Sequence, residues 1–292
     1  MHVSLNGDDA VIKLNPGNMS FSRRIFTQYE GDLPAQPHAH WMSHDGKKMV
    51  TPNSNTNDST RIDLVPGTIV AKTPTGTLPI STGMMPDASK YYVSNCLDSM
   101  IACISIGPDA CKSDDGLSVS ATKTISLLLG GATLANYNPI TGAGFSTSGG
   151  LPIQTPVSPD GKFVVTANTL TGTITMIDTG TDKLVKVLSC SAGCHGVNFG
   201  AKKGGGYYAY VSSKFSNDLI IVDLSTQAIV DRVVLVAGNS TTADDSVSAF
   251  AGMGGQGDLP IPLVYNGWVQ NLPNFWKNQL TPAQRNPFPP AP

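Results

Sequence analysis

The sequence predicts an all-β fold assembled from a repeated four-stranded unit. Three observations lead there. A Ser-x-Asp-Gly type turn followed by a β-branched or aromatic strand recurs along the chain. The apolar runs are strand-sized, as in Ile125-Ser-Leu-Leu-Leu129, and none approaches the ~20 residues that span a bilayer. Gly (30) and Pro (21) are abundant, while charged residues make up 14%, against roughly 25% in an ordinary soluble domain. Hydrophobic residues at 40% supply a sizeable core, which excludes general disorder.

The repeats justify the elements in order. Ser43-His-Asp45-Gly46 begins one copy, Met85-Pro-Asp87-Ala88 a second and Ser158-Pro-Asp160-Gly161 a third. A longer turn around Lys202 begins a fourth. Asp45, Asp87, Asp160 and Lys202 lie about 42, 73 and 42 residues apart. Before each turn runs a lead-in segment opened by Pro or Cys: Pro37-His38, Pro79-Ile80, Pro152-Ile153 and Cys194-His195. After the turn comes a strand such as Phe163-Val-Val-Thr166. A strand ending in Asp follows (Asp63, Asp178, Asp223), and a last strand such as Lys183-Leu-Val-Lys-Val-Leu188 closes the unit. Four strands in about 42 residues is the period of a β-propeller blade. The expected domain therefore covers 1–240, with blades starting near 38, 80, 153 and 195 and an insertion at about 104–150. Residues 2–28 read as the last three strands of a partial blade. Leu259-Pro-Ile-Pro-Leu-Val264 reads as a lone leading strand, followed by a Pro-rich strap or linker within 241–292. Two ring sizes remain open: five blades closed by that C-terminal strand, or a fragment of a six- or seven-bladed ring.

Tyr92-Val-Ser-Asn95, Val165-Thr-Ala-Asn168 and Tyr210-Val-Ser-Ser213, each after a turn of this kind, resemble the YVTN-type β-propeller family of bacterial and archaeal surface or periplasmic proteins. The resemblance covers about residues 2–240. It implies a propeller and an extracytoplasmic location, and leaves the function open because propellers host many functions. Met1-His-Val-Ser-Leu5 has no signal-peptide pattern, so a periplasmic or extracellular protein would be a mature or truncated form.

Charge excludes one class of partner. The net charge of −2 has no basic stripe for neutralising phosphates, so nucleic-acid binding is disfavoured. There are five cysteines, and close spacing suggests two short disulfide loops, Cys103–Cys111 and Cys190–Cys194, leaving Cys96 over.

Candidate chemistry centres on histidine. His38, His40 and His44 fall within seven residues, and His195 is the repeat equivalent of His38. Leading strands of a propeller line its channel, and residues two apart on a strand face one way. His38, His40 and His195 are therefore candidate ligands for a transition metal. Met84 and Met85 are possible thioethers that would favour copper. Such a channel resembles, in principle, the copper-cluster propeller of nitrous oxide reductase, which uses many more histidines. Cys190-Ser-Ala-Gly-Cys194-His195 is one residue longer than the c-type haem motif, making haem a lesser alternative to a disulfide. No nucleophile elbow, P-loop or His-Glu-x-x-His occurs. The leading expectation is a binding or scaffold module for a protein partner or small ligand. The rival is a copper or haem redox protein, or the propeller part of a larger oxidoreductase whose redox domain is elsewhere.

Overall fold

The computed structural model describes residues 1–128, 149–235, 264–265, 268–269 and 274–285. The expected strand at 259–263, the Gly/Ser/Thr-rich stretch at 130–148 and the Pro-rich end from 286 lie outside them.

Five antiparallel sheets follow one another along the chain, and together they form a β-propeller of blades. The first has three strands: β1 (His2–Leu5), β2 (Ala10–Leu14) and β3 (Phe21–Phe26). Blade 1 has β4 (Trp41–Met42), β5 (Lys48–Asn53), β6 (Asp58–Asp63) and β7 (Thr68–Pro74). Blade 2 begins with β8 (Pro79–Met84), β9 (Lys90–Asn95) and β10 (Met100–Ser105). A small hairpin, β11 (Cys111–Lys112) and β12 (Val119–Ser120), interrupts it before its fourth strand, β13 (Thr122–Ser126). Blade 3 has β14 (Pro152–Gln154), β15 (Phe163–Asn168), β16 (Thr173–Asp178) and β17 (Lys183–Ser189). Blade 4 has β18 (Cys194–Ala201), β19 (Tyr207–Ser213), β20 (Asp218–Asp223) and β21 (Ala228–Val234). A further pair, β22 (Val264–Tyr265) and β23 (Trp268–Val269), lies against β18. Leu280 and Gln284 are buried, and the Gln284 amide donates to the carbonyls of Lys202 (2.6 Å) and Gly206 (2.7 Å). No described helix is long and apolar enough to cross a membrane.

Strand alternation explains the packing. Successive side chains leave opposite faces of a sheet, and both faces of a central blade meet another blade. Tyr91, Val93, Ala102 and Ile104 of blade 2 pack with Val50 of blade 1. Tyr92, Ile101 and Cys103, between them in sequence, pack with Val164 and Ile177 of blade 3. The opposite face of blade 3 sends Val165, Ile174 and Met176 against Phe199, Val211 and Ile220 of blade 4. Met49 and Ile62 pack with Val11 and Ile25 of the first sheet. Each interface has its own apolar core.

The Ser-x-Asp-Gly turn is self-satisfied. Asp45 Oδ1 accepts from Ser43 Oγ (2.6 Å) and the Lys47 amide (3.0 Å), and Gly46 takes the left-handed φ of +69°. Ser158 and Asp160 repeat this, with Gly161 at φ +71°. Ala88 stands at the same place with φ +55°, a conformation that suits glycine better. The hairpin β11–β12 reuses the device through Ser113, Asp115 and Gly116. Hydrogen bonds from Ser113 and from the Leu117 and Ser118 amides hold the Asp115 carboxyl below the usual carboxylate range. The Asp residues ending the third strands cap the following turns: Asp63, Asp178 and Asp223 accept from the amides of Val65, Thr181 and Ser225. Part of the stretch read as an insertion is thus regular structure: residues 106–121 form the hairpin excursion, and β13 completes the blade.

Candidate functional site

The lead-in Pro or Cys pairs with the last residue of the second strand in every blade: Pro37 with Asn53, Pro79 with Asn95, Pro152 with Asn168 and Cys194 with Ser213. The ladder then shifts register by a β-bulge in blades 2, 3 and 4. Blade 1 is irregular at the same place, where its ladder resumes only at Trp41. His38, Ile80, Ile153 and His195 are the residues after the pair. The simple period-2 reading of His38 and His40 fails because an inserted residue breaks the alternation. His38 is exposed, and its Nδ1 lies 3.1 Å from the Ile80 carbonyl oxygen in blade 2. His40 is half-buried, and its Nδ1 lies 2.9 Å from Ser4 Oγ in the first sheet. The two imidazoles reach opposite neighbours.

His195 is half-buried on β18. The ligand atoms of His38, His40 and His195 do not gather within 4.8 Å of one another, whereas those of Cys103, Cys111 and Asp182 do. Met84 and Met85 are buried in the cores between blades 1 and 2 and between blades 2 and 3, packed away from any histidine cluster. Disulfides join Cys103 to Cys111 and Cys190 to Cys194. The second occupies both sulfurs that covalent haem attachment would need, so the haem reading of Cys190, Cys194 and His195 does not stand in this structure. Cys96 is a buried free thiol, and burial pushes its pKa up to about 12.

The Cys103–Cys111–Asp182 cluster is explained without a metal. Asp182 has φ +51° and is 1% exposed. Lys90 Nζ donates to both of its oxygens, at 2.9 and 2.8 Å. Tyr92 Oη (2.5 Å) and the Lys112 amide (2.6 Å) add two more donors. The carboxylate is saturated, and the ammonium beside it repels a cation. The cluster ties the β16–β17 turn of blade 3 to β9 and the inserted hairpin of blade 2. Burial, then the Asp182 charge, pushes the Tyr92 phenol well above its usual pKa.

The four innermost strands converge on a cavity of about 170 Å³. Blade 1 contributes Ala39, His40 and Trp41, and blade 2 contributes Ser81 and Thr82. Blades 3 and 4 add Gln154 and Pro156, then Val197 and Asn198. Gln154 Oε1 accepts from the Val197 amide at 2.7 Å, which fixes the side chain across the blade 3–4 junction and leaves its NH₂ as a donor. Thr82 is 1% exposed, and its Oγ1 has no hydrogen-bond partner among the described residues. Burial lowers the His40 pKa, so its ring is neutral at pH 7. No described residue with a full charge lines the cavity. Gly83 explains how the inner strands approach so closely: a Cβ there would lie 2.2 Å from the Thr155 carbonyl oxygen of blade 3. Sequence reasoning named His40 but missed Thr82 and Gln154, ordinary residues whose meeting depends on how the blades are arranged around the axis.

A second hollow, of about 440 Å³, lies at the surface among Tyr29, Asp32, Leu33, Asp58 and Lys72. Its charges answer one another, with Lys72 Nζ 2.9 Å from Asp32 and 3.5 Å from Asp58.

No family model matches the chain, and no curated protein does. Solved structures do. Hydrazine synthase from Kuenenia stuttgartiensis is 20% identical with a TM-score of 0.51, over 71% of this chain and 51% of that one. A functionally unknown protein from Desulfotomaculum acetoxidans is 10% identical with a TM-score of 0.59, over 82% and 68%. Virginiamycin B lyase from Staphylococcus aureus is 12% identical with a TM-score of 0.55, over 78% and 64%. The match therefore spans about half the length of the hydrazine synthase chain. At these identities the likeness shows the propeller fold alone; 1239 solved chains match in all.

Proposed function

We propose that this chain is a binding module of an extracytoplasmic propeller protein, and that its ligand seat is the cavity between the innermost strands. The carrying observation is that Thr82, whose Oγ1 has no partner among the described residues, and Gln154, whose NH₂ is left to donate, line the same cavity. An unsatisfied buried hydroxyl costs about 1–3 kcal/mol, which a bound molecule offering a hydrogen bond recovers. The surrounding blades make the seat rigid, so little ordering cost falls on binding. Two disulfides support the oxidising location.

The test is an amide-shift titration of uniformly ¹⁵N-labelled protein with small neutral, anionic and cationic molecules, and with Cu(II). Shifts converging on residues 39–41, 81–82, 154 and 197–198 support the seat. Copper broadening centred on His38 and His195, with no shifts in the cavity from any organic probe, would replace it with the metal reading. Shifts confined to the hollow beside Lys72 would overturn both.

A further inference from the structure

The lining also specifies the chemical class of the ligand, an inference that rests on the cavity being the seat. Among the described residues no carboxylate, ammonium or guanidinium lines it, and burial lowers the His40 pKa, which keeps the ring neutral. An anion would find no opposite charge there, and a cation none either, so each would lose its hydration uncompensated. The polar groups are hydroxyls and amides: Ser81, Thr82, Gln154 and Asn198. They both donate and accept, which matches a ligand whose groups do the same. The remaining wall is apolar, with Trp41 as its aromatic element. The Trp41 ring also packs against the core between blades 1 and 2, so it is held in place before any ligand arrives. A volume of about 170 Å³ is the liquid share of roughly six waters at ~30 Å³ each, below the range of drug-sized sites.

We infer that the cavity takes an uncharged, polyhydroxylated ring of monosaccharide size. Its hydroxyls exchange hydrogen bonds with Thr82 and Gln154, and its C–H face lies on Trp41 and the neighbouring apolar wall. A free sugar and the terminal residue of a glycan share this chemistry.

Calorimetric titration tests the assignment. The probes are methyl α-glucoside, methyl β-galactoside and N-acetylglucosamine, with glucuronate and glucosamine as charged counterparts. Oligosaccharides ending in the preferred sugar separate the two sources. At least one neutral probe is expected to bind at a Kd of roughly 1 mM or tighter, with each charged counterpart at least tenfold weaker. Gln154→Ala removes a hydrogen bond and should weaken binding about tenfold. Thr82→Val should do the same while folding normally, because blade 4 carries Val197 at that register position. Binding of the charged probes in preference to the neutral ones, traced to the same residues by amide shifts, overturns the ligand class and leaves the seat standing. Neutral-probe binding that both substitutions leave unchanged overturns the placement. No binding by any sugar, with cavity shifts from another small molecule, overturns this inference alone. No cavity shifts from anything overturns the seat as well.

Discussion

Substituting Asp182 by Asn isolates one buried charge. Asn adopts the left-handed backbone that Asp182 holds, so the turn survives the change. The amide keeps an oxygen for Tyr92 but loses the charge that faces Lys90. Lys90 is 4% exposed, and its remaining partners are the Thr179 carbonyl at 2.7 Å and the Tyr92 ring, whose centroid lies 5.7 Å from Nζ. Breaking a buried pair by removing one partner costs about 3–5 kcal/mol, because the other charge stays buried and uncompensated. At roughly 2 °C per kcal/mol for a chain of this size, Tm should fall by about 6–10 °C. Urea unfolding followed by circular dichroism at pH 7 measures the free energy, and a thermal melt gives the second reading. The double variant Lys90→Met with Asp182→Asn, which removes both charges but keeps the left-handed turn and an oxygen for Tyr92, should lose less than Asp182→Asn alone. A loss below about 1 kcal/mol for Asp182→Asn would refute the claim that this pair clamps blade 2 to blade 3.

Other expectations concern titration and turns. The folded-state pKa of Tyr92 is raised, so the stability it contributes is complete below about pH 10 and lost as pH rises beyond. Alkaline unfolding of Tyr92→Phe should set in later, measured by fluorescence against pH. The His2 pKa is lowered to about 4, mainly by burial. Its contribution is therefore complete above pH 6.5 and lost as pH falls toward 4, and His2→Gln should flatten that limb of the stability curve. Cys96 should resist alkylation in the native protein and react only on unfolding, as mass spectrometry of iodoacetamide-treated samples would show. Ala88→Gly should raise stability by about 0.5–1 kcal/mol in the urea assay, since glycine relieves the left-handed strain at some entropic cost.

Much of the fold is written locally. The Ser-x-Asp-Gly turn carries its own hydrogen bonds, so it is legible wherever it recurs, although its use by Ser113 to Gly116 was hidden inside an apparent insertion. Cysteines four and eight residues apart can reach each other only through short loops, and both bridges form. The bulge after each lead-in residue leaves no local sign, and it undoes the inference that His38 and His40 share a face. Met84 and Met85 look like a soft-metal pair in sequence, yet alternation sends them into two different apolar cores. Lys90 and Asp182 are separated by about 90 residues, and nothing in either repeat copy marks the pairing. The cavity is the least legible feature. It draws two or three residues from each of four blades, and its character comes from the absence of charge among the described residues around Thr82 and Gln154.

The most direct measurement of the central claim is the pair of side-chain amide resonances of Gln154, followed in ¹H–¹⁵N spectra of uniformly labelled protein while methyl glycosides are added. Saturable shifts at Gln154, lost in Thr82→Val at the same sugar concentrations, are the predicted result. Resonances that stay fixed while a sugar binds by calorimetry would place the ligand elsewhere and contradict the account.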